Sequence, residues 1–137
     1  MSDVSALSHE YHASAKLAEE LNDAILAIKK SRLHRRSGLT GDQRESLAKM
    51  LVSVRDRLAD EKRSQAEFQF LPQEMVERIS RRHASKLAYF LEDLSQATKI
   101  LLDQSLPVDD AVISVLDEVC DVADQTASSM FRRMRRR

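Results

Sequence analysis

From Val4 to Ile28 the apolar positions recur in alternating steps of three and four: Val4, Leu7, Tyr11, Ser14, Ala18, Leu21, Ile25, Ile28. An α-helix at 3.6 residues per turn gathers such positions on one face, whereas a strand would scatter them over both. Ser14 is the one polar interruption, and Leu17 and Ala24 widen the seam to the breadth a bundled helix needs. The pattern stops near SRLHRRSG, where basic side chains suit the negative end of the helix dipole and Gly38 suits the cap.

The same periodicity returns three times. Asp42, with Glu45 three residues on, reads as a capping box opening a helix whose stripe is Leu47, Leu51, Val54 and Leu58. After the apolar corner FQFLP, Pro72 suits the first turn of a third helix bearing Val76, Ile79, Leu87, Phe90, Leu94 and Leu101. Pro107 opens a fourth, with Asp109 and Asp110 at its positive end and Val108, Val112, Val115, Val119 and Val122 as its stripe, widened by Leu116, Cys120 and Ala123. The expected helices cover roughly 3–36, 42–67, 72–104 and 107–134. Only two glycines and two prolines occur in 137 residues, too few for a turn-rich sheet protein. The expectation is an all-α single domain over 1–137. Short connections make it an antiparallel four-helix bundle, up-down-up-down, with long helical hairpins that dimerise as the alternative.

Charge is balanced in total, with 22 basic and 22 acidic residues, and uneven in place. Residues 29–36, KKSRLHRR, hold five basic residues, and the final RRMRRR holds five more. Between 92 and 124 nine acids face one lysine. Folded antiparallel, Arg78, Arg81, Arg82 and Lys86 at the start of the third helix meet Arg132–Arg137 at one basic pole. Asp110, Asp117, Asp121 and Asp124 form an acidic stripe along the fourth helix, read as a solvated face, since carboxylates on one helix cannot by themselves converge on a cation.

Chemistry-bearing residues are few. The segment RISRRHASKL supplies Arg78, His83 and Lys86 as the catalytic candidates. The spacing Arg78-x-x-x-x-His83 resembles the motif of HEPN-type ribonucleases. That resemblance implies a dimeric all-helical domain in which the arginine stabilises phosphate and the histidine transfers protons. His83-x-x-Lys86 is similar to histidine-phosphotransfer bundles, which implies a phosphoryl group carried on His83 with Lys86 holding it. The helical reading points elsewhere: His83 lies four residues from both Ile79 and Leu87, beside the core face, and Glu74 and Glu77 stand four before Arg78 and Arg81 as ion-pair partners.

His9 and His12 in HEYH stand one turn apart, but no Glu-x-x-His motif faces them, so no metal or cofactor is expected. Cys120, alone among valines, reads as a small buried hydrophobe. The chain opens with no cationic leader and apolar stretch, and its apolar runs fall far short of the ~20 residues of a membrane span. A cytoplasmic location is therefore expected.

The leading expectation is a non-enzymatic helical module that binds a protein partner, a second copy of itself included. Arg78, Arg82, Lys86, Arg132, Arg133 and Arg135 would make the contacts. Nucleic acid or an anionic membrane at MFRRMRRR is the lesser expectation, and no small-molecule substrate is indicated.

Overall fold

The computed structural model describes residues 2–34, 38–60 and 71–136. These are all-helical: α1 (Ser2–His34), α2 (Gly41–Ala59), α3 (Gln73–Arg82), α4 (Leu87–Leu102) and α5 (Asp110–Arg135). Most of the stripes expected of the sequence are buried; Leu7, Tyr11, Leu87 and Val108 are only partly so, and the side chain of Val4 lies outside the described residues. Leu21, Leu51, Ile79, Leu94, Leu101 and Leu116 are all at 1% exposure or below, and buried residues from the five helices join in one cluster.

Helix partners follow from a few cross-links. The Ser14 hydroxyl donates to the Ala123 carbonyl at 2.8 Å, and the Cys120 thiol donates to the Ala18 carbonyl at 3.4 Å. One residue number rises as the other falls, so α1 and α5 are antiparallel, and they form the most extensive pairing. Ser14, expected as a blemish in the seam, is a fully buried cross-link. α2 pairs with α4 in the same antiparallel sense, since Arg44 reaches Leu101 and Arg55 reaches Ser95. α3 and α4 both lean on α5.

The ends of the elements differ from expectation in four places. The cap of α2 is Thr40: its hydroxyl accepts from the Gln43 amide, and the Gln43 side chain accepts from the Thr40 amide. The reciprocal box thus sits two residues before the expected Asp42–Glu45 pair, because a threonine hydroxyl and a glutamine amide satisfy the same orphan donors. α2 ends at Ala59 with Asp60 as its C-cap; the remainder of the expected 42–67 helix, and the FQF of the apolar corner, lie outside the described residues. Asp109, whose carboxylate accepts from the Val112 amide, caps α5 and leaves Pro107 in the preceding loop.

The fourth difference is the largest. The expected helix 72–104 is two helices separated by a turn over 83–86. Bonding there tightens to three-residue steps, Ala84 to Arg81 at 3.4 Å and Lys86 to His83 at 2.9 Å, and His83 and Lys86 leave helical backbone angles. Neither glycine nor proline marks this break. The sequence stripe runs through it because Ile79 and Phe90 are eleven residues, three turns, apart.

Arg44 carries the turn at the other end of α4. Its side chain is buried, and its guanidinium donates to four carbonyls: Leu101 (3.0 Å), Asp103 (2.8 Å), Leu106 (2.8 Å) and Ile100. It thereby caps the carbonyls that a helix C-terminus leaves unpaired. Arg44→Met should cost about 3 kcal/mol in denaturant unfolding, because buried acceptors lose their donor. Arg44→Lys should recover only a minor part, since an ammonium lacks the five-donor fork.

Gly38 is held by close approach. A Cβ there would stand 2.7 Å from Ser31 Cβ and 2.9 Å from the Ala27 carbonyl oxygen. Gly38→Ala should destabilise by about 1–3 kcal/mol. Gly41→Ala, whose Cβ would meet only the Gln104 side chain at 3.5 Å, should be neutral or stabilising by up to about 1 kcal/mol.

Candidate functional site

His83 sits at the α3–α4 break, where the turn directs its ring against Phe90. The rings stack at 4.2 Å between centroids and 3° between planes. Nε2 lies 3.0 Å from Glu118 Oε2 on α5, and the side chain is 17% exposed. Lys86, Tyr89 and Asp93 complete a cleft of ≈ 230 Å³ around this pair. A phosphoryl group arriving at Nε2 would meet the Glu118 carboxylate, like charge against like. Lys86 opens α4, where the helix dipole does nothing to hold a cation.

Arg78 is engaged elsewhere. Its Nη2 donates to Glu74 at 3.1 Å and to the Ser129 hydroxyl, while Nε is buried without a hydrogen-bond partner. Ser129 and Glu118 are eleven residues apart on α5, about 16 Å. The structure therefore does not bring Arg78 and His83 together within one chain. Burial, and after it Asp124, Asp117 and Asp121, push the Cys120 thiol up to about 11, away from the reactive thiolate form.

Of the expected basic pole only Arg78 is brought to the end of α5, beside Ser129, while Arg82 lies against Asp121 and Lys86 lines the cleft with Ser114 and Glu118, and Arg137 lies outside the described residues. Arg133 pairs with Glu74, which also pairs with Arg78, tying α3 to α5. Arg82 donates to Asp121 at 2.8 Å and stands 3.9 Å from Glu118. These contacts raise the Arg82 guanidinium above its ordinary value, Asp121 contributing most. Of the six residues expected to meet a partner, Arg78, Arg82 and Arg133 thus help to assemble the fold. Lys86, Arg132 and Arg135 remain exposed with no carboxylate partner among the described residues, and Arg136 joins them. Arg132 bonds only the Ser128 carbonyl, and Arg135 lies over the Phe131 ring at 5.9 Å.

Beside this end a groove of ≈ 560 Å³ runs between α1 and α5. Ala15, Ala18 and Ala127 floor it. At its basic end Tyr11 and Phe131 approach to 5.9 Å between ring centroids, and Phe131 is 46% exposed. Glu19 and Asp124 line its other end. By spacing alone Tyr11 belongs to the seam of the first helix and Phe131 to the basic C-terminal segment. The signal available was the spacing Asp124, Ser128, Arg132, which sets opposite charges on one line of a helix.

His9 and His12 are exposed on α1, and no metal-ligating cluster of three or more His, Cys, Asp or Glu occurs among the described residues. No helix among them is long and apolar enough to cross a membrane. The chain matches no protein-family model, no curated protein and no solved structure. Its class is accordingly set by the fold: an all-α protein whose surface charge is segregated along its last helix.

Glu10, near this corner, is pushed above the usual carboxylate value of 4.5 chiefly by burial, against a lowering pull from Arg133 and with a further push from Glu77. A raised acid favours the folded state while protonated, so its contribution is present at low pH and lost as pH rises through its folded value. Glu10→Gln should therefore melt close to wild type below about pH 4 and at a higher temperature than wild type near about pH 7. Melting curves across this range check the sign.

Proposed function

We propose that this chain is a non-enzymatic, cytoplasmic helical module that binds another protein through the exposed charged face of α5. The reading takes the helices as an up-down-up-down bundle whose third member is α3 and α4 in series. One observation carries it: α5 presents exposed Asp117 in its first half, exposed Asp124 near its middle and exposed Arg132, Arg135 and Arg136 at its end, all without a carboxylate or guanidinium partner among the described residues. Meanwhile the residues with chemical potential are occupied, His83 by Glu118 and Arg78 by Glu74 and Ser129. Segregated charge of this kind sets the orientation and rate of encounter between two protein surfaces.

The contact set within this reading is Lys86, Arg132, Arg135 and Arg136, with Arg78, Arg82 and Arg133 shaping the surface from below. The experiment compares wild type with an Arg132→Glu/Arg135→Glu/Arg136→Glu variant by cross-linking and affinity capture from cell extract. A defined protein partner should be held by wild type at low salt, released in about 0.5 M salt, and lost by the variant. Cleavage of RNA that disappears in His83→Ala, or acid-labile phosphate on His83, would overturn the proposal.

A further inference from the structure

The groove between α1 and α5 has opposite charges at its two ends and an aromatic pair at one of them. Asp124, Ser128 and Arg132 lie on one line of α5 at intervals of four residues, so Asp124 and Arg132 are about 12 Å apart and cannot pair within the chain. Glu19 joins Asp124 at the acidic end of the groove. Neither acid has an ion-pair or hydrogen-bond partner among the described residues. Both charges and the exposed Phe131 thus face solvent unmatched.

We infer that this groove is a homodimer interface, occupied by α5 of a second copy laid antiparallel across a two-fold axis near Ser128. A two-fold axis at that point exchanges position 124 with 132, so each copy's Arg132 meets the other's Asp124 and Glu19, and both ends of the groove are satisfied at once. Ala127 and Ser128 fall at the crossing, where small side chains let two helices approach closely. Phe131 of each copy is carried over the alanine floor of the other, removing a half-exposed ring from water. A helix of uniform charge would satisfy only one end. A second copy satisfies both, which is why it is the favoured occupant over a nucleic acid or an unrelated acidic protein.

This inference rests on the protein-binding reading above and names one partner for it. Analytical ultracentrifugation of the purified chain over a range of concentrations at low and high salt reads it directly. The expected result is a monomer–dimer equilibrium that weakens as salt rises. Asp124→Arg and Arg132→Asp, each creating two like-charge contacts per dimer, should each weaken association by about tenfold. The double variant, with the charges exchanged, should associate more tightly than either single variant, with the unchanged Glu19 keeping it weaker than wild type. Both positions are exposed, and unchanged melting temperatures confirm that the variants fold. Ser128→Trp, which blocks the crossing, should abolish the dimer.

A wild-type chain that stays monomeric at about 0.1 mM in low salt overturns the inference. So does a dimer indifferent to all three substitutions, or an exchanged double variant that associates no more tightly than the single variants. Each of these outcomes leaves the broader reading to the capture experiment, in which wild type would then hold a protein other than a second copy of this chain.

Discussion

The described architecture depends on a single arginine more than on any one apolar contact. Arg44 leaves α2, enters the protein buried, and ends on four carbonyls of the α4 C-terminus and the loop beyond. Those carbonyls belong to the stretch that must reverse the chain before Asp109 can cap α5. A helix end and a seven-residue reversal both leave carbonyls without backbone partners, and α2 packs over part of them. The guanidinium fork answers several of these needs from one point and anchors α2, α4 and the entry to α5 together.

Charge serves two separate purposes on the other side of the molecule. Glu74 with Arg78 and Arg133, Arg82 with Asp121, and His83 with Glu118 join α3 and the break to α5. Most of these pairs are partly exposed and contribute modestly to stability, so their main effect is to set how α3 lies on α5. The charges left over are distributed by position along α5, acid first and base last. That residue of unmatched charge defines the surface available for association.

The break at 83–86 links the two purposes. It lets α3 lie on α5 while α4 packs on α2, and it delivers the His83 ring to Phe90 and its nitrogen to Glu118. The segment that resembles a short catalytic motif also forms the joint between two helices. The resemblance of RISRRHASKL to ribonuclease and phosphotransfer motifs came from an arginine, a histidine and a lysine at helical spacing. Their partners, Glu74, Ser129, Phe90 and Glu118, come partly from an element some thirty-five to fifty residues away.

Periodicity by itself determined that the chain is all-helical and which faces are buried, because 3.6-residue spacing leaves Leu21, Leu51, Leu94 and Leu116 no other environment. It also determined where charge of each sign lies along the last helix. Tertiary structure alone decided the break in the third helix, since a stripe spaced by whole turns is the same whether the backbone is continuous or kinked. It alone decided that Arg44 belongs inside and which carbonyl Ser14 meets there, because a buried polar group is stable only beside the partner that satisfies it. Sequence spacing reports which residues share a face; only packing reports what that face meets.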